Sequence, residues 1–377
     1  MANRPASIDA SVFTIADLKE QGNKKLPRYA QEYFNEGAMD LITLRDNEEA
    51  FNRYKIRPRV LVNVDKADTS AEIFGTTACG TDCGKVPFPM GLSPTAYHKL
   101  AHPEGEAATS RAAASTGIPM GLSMYATTSL EEVAAQSNGN PLVMHMGLMR
   151  NRQLNVQLLQ RAEKAGFKAI FVSVDCPVLG LRLNEHRNCF QLPEGLDHEN
   201  LPLIGTDLEA RCHESDYDPT ADWNTAIPWL RSQTKLPLWL KGVGTADDVI
   251  LAIRHGLDGV VVSNHGGRQL DGVPASLDSL RECAAVAKGK IPIAFDGGIR
   301  RGSDIFKAIA LGADFCFVGR IPIWGLAYNG QQGVELGIKI LMNEFKNIMA
   351  LAGCRSVKEI NKGHLSLLAS NGVLSKL

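Results

Sequence analysis

The sequence predicts a (β/α)8 barrel, the TIM-barrel class of α/β fold, with an N-terminal helical extension and a long loop after the fourth strand. Three observations predict it. Eight short apolar runs recur from about Val86 onward, stretches of helical pattern with recognisable stops separate them, and polar or ionisable residues gather at the C-terminal ends of the runs. A chain of 377 residues exceeds the usual size of one domain, but a barrel of about 250 residues with extensions accommodates it. We read residues 1–377 as one unit: a helical cap over 1–65, the barrel over 66–355 and a tail over 356–377.

The strand-like runs are Phe88–Ser93, Ile118–Ser123, Pro141–Met146, Ala169–Asp175, Leu236–Gly242, Gly259–Asn264, Ile291–Asp296 and Asp314–Gly319. Each is too short for a stable helix, and most are bounded by Gly, Pro or polar turns. Between them, Glu106–Ser115 is Ala-rich and stops at Gly117, and Asn155–Ala165 stops at Gly166. Thr245 with Asp247 and Asp248 opens a helix that Gly256 ends, and Ser303-Asp304 is expected to cap one ending at Gly312. Val334–Met349 reads as a last long helix. The cap is expected to hold helices over Ile15–Gln21 and Leu26–Gly37. Residues 178–230 show little regular pattern and read as a polar insertion that forms a lid.

Composition narrows the function. The chain carries 40 Lys and Arg against 41 Asp and Glu, a formal net charge of −1, so nothing suggests a nucleic-acid or membrane-surface partner. No apolar run approaches the roughly 18 residues of a membrane span. Eight cysteines are scattered, and the one close pair, Cys79 and Cys83, lacks a second pair to build a zinc site; no metal is expected, and the thiols read as reduced and mostly buried. The chain lacks a secretory pattern at its start, while its last residues, Ser375-Lys376-Leu377 behind a small polar stretch, match a peroxisomal import address and predict peroxisomal localisation.

Barrel chemistry collects at the C-terminal strand ends. In order these present Pro94-Thr95-Ala96, Ser123, His145 with Gly147, Ser173 with Asp175, Lys241, Ser263 with His265 and Arg268, Asp296-Gly297-Gly298, and Gly319-Arg320. Any one of them reads as a strand cap; eight together do not. Asp296-Gly297-Gly298-Ile299-Arg300 and Gly319-Arg320 form two turns with an arginine each after the last two strands, where barrels often bind phosphate. Lys241 ends an apolar strand and needs an anionic partner, for which a reduced flavin or, in a different chemistry, a Schiff-base role are the alternatives. In Ser263-Asn264-His265-Gly266-Gly267-Arg268-Gln269, a histidine at a strand end shares a glycine turn with an arginine, so one can take a proton while the other holds a carboxylate.

At this run the sequence resembles the FMN-dependent 2-hydroxy-acid oxidising family, which includes glycolate oxidase and lactate oxidase. The likeness covers nearly the whole chain, through Tyr33–Asp40, Ser93–Ala96, His102–Glu106, Val174-Asp175, Ser263–Gly272, Asp296–Gly312 and Gly353–Ser356. It implies FMN as cofactor and His265 as the base, with Asp175 stabilising its imidazolium and Tyr33 bonding nearby. It further implies that Arg182 and Arg268 hold the substrate carboxylate, and that Lys241 stabilises the reduced flavin. By the same resemblance Pro94, Thr95, Ala96, Ser123, Ser173 and Ser263 line the flavin, and Gly298, Arg300, Gly319 and Arg320 bind its phosphate.

Two departures bear on substrate. Where the family carries a second active-site Tyr and a flavin-contacting Gln after the third strand, this chain has Gly147 and His145, and the aromatic after the second strand is Tyr125. Loss of the Tyr hydroxyl is expected to remove a substrate contact and open volume. His145 is either a flavin ligand or a satisfied structural histidine. The resulting expectation is oxidation of a 2-hydroxy acid to a 2-oxo acid, with O2 reduced to H2O2, by a homotetramer. The alternative is FMN-dependent oxidation of a cyclic amino or imino carboxylic acid in a biosynthetic pathway. A barrel kept only as a binding scaffold conflicts with the intact His265, Arg268, Arg182 and Lys241.

Overall fold

The computed structural model describes residues 8–73, 84–201, 217–369 and 371–377; Cys79 and Cys83 lie outside the described residues. The chain opens with three helices, α1 (Ile15–Asn23), α2 (Arg28–Asn35) and α3 (Ile42–Arg53). Two match the expected cap helices. The third, α3, was not expected, because its N-cap is Leu41 in a left-handed conformation (φ 63°), which offers no side-chain capping bond to read.

All eight expected barrel strands form: β1 (Met90–Leu92), β2 (Met120–Ser123), β3 (Leu142–Gly147), β4 (Ala169–Ser173), β5 (Leu238–Val243), β6 (Gly259–Val262), β7 (Ile293–Asp296) and β8 (Phe315–Val318). They close in the order β7-β8-β1-β2-β3-β4-β5-β6, every neighbouring pair parallel.

The period of two along a strand decides where the site lies. One set of side chains, including Met144, Ile170, Leu240, Val262 and Phe295, packs outward against the helices. The other set, Val143, Phe171, Trp239, Val261, Ala294, Phe315 and Phe317, forms a separate cluster filling the barrel. Phe171 meets Phe317 edge-on at 5.3 Å and Trp239 at 6.0 Å. Trp239 fits because Gly259 lies opposite, where a Cβ would come within 2.2 Å of the indole. Burying an aromatic of this kind contributes roughly 2–3 kcal/mol. Two residues beyond each inward filler the same face turns polar: Val143 leads to His145, Phe171 to Ser173, Trp239 to Lys241, Val261 to Ser263, and Ala294 to Asp296. The barrel interior is therefore apolar below and ionisable at the C-terminal rim.

Around it run α4 (Gly105–Thr116), α5 (Leu130–Gln136), α6 (Arg152–Lys164), α7 (Leu183–Arg187), α8 (Trp223–Gln233), α9 (Ala246–Arg254), α10 (Ser276–Ala287), α11 (Gly302–Leu311) and α12 (Arg320–Ala352). Gly117, Gly166, Gly256 and Gly312 take positive φ at helix ends as expected, and Thr245 Oγ1 accepts from Asp248 N at 3.2 Å. Three expectations need correction. The N-cap of α11 is Arg301, not Ser303, and Asp304 Oδ2 accepts from the backbone N–H groups of Arg300 and Arg301 at 2.9 Å each. The last helix starts at Arg320, immediately after β8, and is kinked at Asn329–Gly330. The insertion is not patternless, for it holds α7 and α8; Pro228 inside α8 disguised the latter.

Strands at Tyr54–Ile56, Leu365–Leu368 and Leu374–Lys376 form a small antiparallel sheet that joins the two ends of the chain. The C-terminal residues 371–376 are exposed, but Leu374–Lys376 is paired rather than a free tail. Among the described residues, no helix is long and apolar enough to cross a membrane.

Candidate active site

A cavity of about 620 Å³ opens over the C-terminal rim. It is lined by Tyr33, Pro94, Thr95, Ala96, Ser123, Tyr125, His145, Arg182, Lys241, His265, Arg268, Asp296, Gly297, Gly298, Arg300, Gly319 and Arg320, so most residues singled out in the sequence share one space. Ser173, Asp175 and Ser263 do not line it; each stands one layer behind and bonds to a residue that does.

The turn after β6 carries the sharpest chemistry. His265 sits at φ 58°, followed by Gly266 and Gly267 at φ 64° and 74°. Its backbone N–H donates to Ser263 Oγ at 3.1 Å, and its Nδ1 lies 3.2 and 3.3 Å from the two carboxylate oxygens of Asp175. Asp175 can approach because Gly242 has no side chain: a Cβ there would meet the carboxyl carbon at 2.4 Å. Burial would raise the Asp175 pKa, but His265 and Lys241 outweigh it and hold the carboxyl at about 2. Burial lowers the His265 pKa below its ordinary value, with Asp175 opposing. A neutral imidazole with Nδ1–H on a carboxylate leaves Nε2 as the base.

Lys241 lies 2.9 Å from Ser263 Oγ, to which its Nζ donates, and 3.1 Å from Asp296 Oδ2. Ser263 in turn donates to Asp296 Oδ1, and Ser93 Oγ donates to Asp296 Oδ2 at 3.1 Å. Burial opposes the charge on Lys241, but Asp296 and Asp175 outweigh it and raise its pKa. The anionic partner that the sequence demanded is thus a carboxylate of the chain itself. A lysine held protonated this way does not act as a Schiff-base amine.

Arg182 and Arg268 lie together. The Arg182 Nε donates to Arg268 O at 3.2 Å, and Arg268 stacks over Tyr33 at 4.7 Å while donating to Tyr33 O. Glu185, on α7, stands between them, 3.6 Å from Arg182 Nη1 and 3.3 Å from Arg268 Nη2. Sequence reading missed Glu185, whose role depends on the fold of the insertion.

At the last two strands, Gly297 and Gly298 take φ 118° and 75°, and Gly298 is pressed against α3, where a Cβ would lie 1.9 Å from Asn47 O. Arg300 stacks over Trp324 at 5.0 Å and bonds Glu48 at 2.9 Å. Arg320, at the start of α12, donates to the carbonyls of Phe34 (2.7 Å), Gly266 (3.0 Å) and Glu36 (2.8 Å). Burial, then the like charges of Arg268 and Arg300, push its pKa down to about 9. Such crowding of cations beside a helix N-terminus is what an absent anion would relieve.

His145 is buried and neutral: burial and then Lys241 push its pKa to about 3. Its Nε2 meets Ser173 Oγ at 2.8 Å, whereas its buried Nδ1 has no partner. At Gly147 no volume opens, contrary to expectation. The Tyr217 ring fills it, with Cε1 2.2 Å from where a Cβ of residue 147 would be. Cys176, also missed, lies 3.6 Å from His265 Nδ1. Of the expected buried thiols, Cys176, Cys283, Cys316 and Cys354 are buried, and Cys189 is exposed.

The model of one protein family, described as FMN-dependent dehydrogenase, matches residues 22–367. This chain belongs to that family. The enzyme is an FMN-dependent oxidoreductase of 2-hydroxy-acid oxidase type. It is 47% identical over 372 residues to Oxidase FUB9 of Fusarium oxysporum f. sp. lycopersici, covering 97% of this chain and 94% of the relative. It is 42% identical to glycolate oxidase of Spinacia oleracea, covering 94% and 96%. Among solved structures, mandelate oxidase with benzoyl-formic acid superposes with a TM-score of 0.83 at 36% identity, over 92% of this chain and 96% of that one.

The cavity suits FMN. It has a phosphate-sized concentration of arginine at one end, an orphaned polar atom in His145 Nδ1 on its wall, and a protonated Lys241 at its floor.

Proposed function

We propose that the enzyme oxidises a 2-hydroxy acid to the 2-oxo acid and passes the two electrons to O2, releasing H2O2. The observation that carries this is the placement, in one cavity, of a neutral His265 backed by Asp175 and of two arginines, Arg182 and Arg268. FMN, when bound, supplies the two-electron acceptor. Gly298, Arg300, Gly319 and Arg320 would hold its phosphate end, and Lys241, His145, Ser123 and Pro94–Ala96 its ring system. Arg182 and Arg268 fix the carboxylate, and Tyr33 closes over them. His265 Nε2 takes a proton from the substrate, and the imidazolium that results is stabilised by the Asp175 carboxylate 3.2 Å away.

Two further features belong to this reading. The tripeptide Ser375-Lys376-Leu377, its first two residues exposed but strand-paired and Leu377 half-buried, matches an import address and supports peroxisomal import, a compartment suited to a peroxide producer. The working form is a homotetramer. Purified enzyme is expected to be yellow and to release one peroxide for each 2-oxo acid formed when glycolate, (S)-lactate and (S)-mandelate are supplied. Oxidation of a cyclic amino acid such as proline, in preference to every hydroxy acid, would replace this reading with C–N oxidation on the same His265.

A further inference from the structure

We propose that Tyr217 is a substrate-contacting, specificity-determining residue, delivered by the segment before α8 into the space that Gly147 leaves at the end of β3. The inference rests on the proposed binding of an acid in the cavity, and it adds the residue that sets which acids fit.

The placement is built, not incidental. Tyr217 pairs with Met149 in an isolated antiparallel bridge. The next residue donates its N–H to Leu148 O at 2.8 Å, and the Asp218 carboxylate accepts from Arg152 Nη2 at 2.6 Å. These contacts bind Tyr217 and the residue after it to the β3–α6 connection. Any side chain at residue 147 would collide with that ring, so Gly147 and Tyr217 fill one volume between them.

The ring also carries chemistry. It meets Tyr125 edge-on, 6.4 Å between centroids at 83°, and the two phenols are hydrogen-bonded to each other. Burial, with Tyr125 beside it, keeps the Tyr217 hydroxyl protonated. A protonated phenol can donate a hydrogen bond as well as accept one. Tyr217 lines the same cavity as Tyr125, Arg182 and His265. The ligand it fits is an acid with an acceptor oxygen at or beside C2, and its ring caps the room available to the C2 substituent.

The test uses FMN-loaded enzyme as wild type, Tyr217→Phe, Tyr217→Ala, Gly147→Ala and the Gly147→Ala/Tyr217→Ala double variant. Turnover is measured with glycolate, (S)-lactate and (S)-mandelate. Binding is measured separately with 2-hydroxyisobutyrate, which has no hydrogen on C2 and so cannot be oxidised, through its effect on the absorbance of the bound FMN. Tyr217→Phe is expected to weaken 2-hydroxyisobutyrate about fivefold, the value of one buried hydrogen bond. Tyr217→Ala is expected to shift preference from glycolate toward (S)-mandelate by about tenfold or more. Gly147→Ala should reproduce that shift by expelling the ring, and the double variant should be no worse than either single one. Unchanged affinity and preference in both Tyr217 variants overturn the inference, as does strict additivity of the Gly147 and Tyr217 effects. FMN-loaded wild type that neither binds nor oxidises any of these acids overturns the proposed function, and the inference falls with it.

Discussion

His265 occupies a left-handed backbone conformation, φ 58°, uncommon outside glycine though better tolerated by His than by most residues, and the two glycines that follow share it. The turn is held by Ser263 Oγ on the His265 N–H and by Asn264 Oδ1 on the Gly267 N–H, so the imidazole is presented rigidly. Replacing His265 by Ala is expected to leave FMN bound and to slow its reduction by substrate about 10²–10⁴-fold, measured by anaerobic stopped-flow. Because burial lowers the His265 pKa, the acid limb of kcat/KM should fall below pH 6.5, the ordinary histidine value. Asp175 raises that pKa, so Asp175→Asn should move the limb to still lower pH while reducing the plateau rate, since the imidazolium loses its counter-charge. At this scale His265, Asp175 and Lys241 were legible, because each stands at or just beyond the end of an apolar run. Tyr217 and Glu185 were not. Their roles arise from where an insertion folds back, and local sequence carries no signal for that.

Among the elements, the cap and the barrel depend on each other through glycine. Gly298 accepts no side chain beneath α3, and its φ of 75° disfavours one in any case. Gly298→Ala is expected to cost at least about 1–3 kcal/mol in chemical denaturation and to weaken FMN retention. Arg320 ties α2 and the chain just beyond it to the His265 turn through the carbonyls of Phe34, Glu36 and Gly266. Arg320→Met should therefore raise amide exchange in α2 well before it affects the barrel strands, as hydrogen-exchange mass spectrometry would show. The strands were readable because short apolar runs bounded by turns leave little else to form. The ends of helices were readable wherever a glycine stop or a hydroxyl cap stood. What escaped was set by backbone geometry or distance: α3 behind the left-handed Leu41, α8 around Pro228, and a sheet whose strands Tyr54–Ile56 and Leu365–Leu368 are separated by the whole barrel.

For the whole molecule, the period of two along eight strands gathers the site: one parity fills the barrel with Phe171, Trp239 and Phe317 and ends in Ser173, Lys241 and Gly319. Core and active site are thus one continuous stack, and substitutions low in the barrel should be felt at its rim. Trp239→Ala is expected to lower stability by about 3–5 kcal/mol and to disturb Lys241, read as a changed spectrum of bound FMN in the fraction that folds. The proposed tetramer should run as a single species of four chains in light scattering. Deletion of Ser375–Leu377 should move a tagged enzyme out of peroxisomes, while also removing two residues of the outer strand that covers Leu365–Leu368.

Glu185 gives the cavity a resident carboxylate between Arg182 and Arg268. On the proposed function, an acid held by these arginines competes with Glu185 for them, and its binding free energy is a difference between two carboxylates' interactions with the same pair of guanidiniums. Neutral analogues, amides for instance, have no means of entering that competition, and discrimination against them starts before any contact with His265.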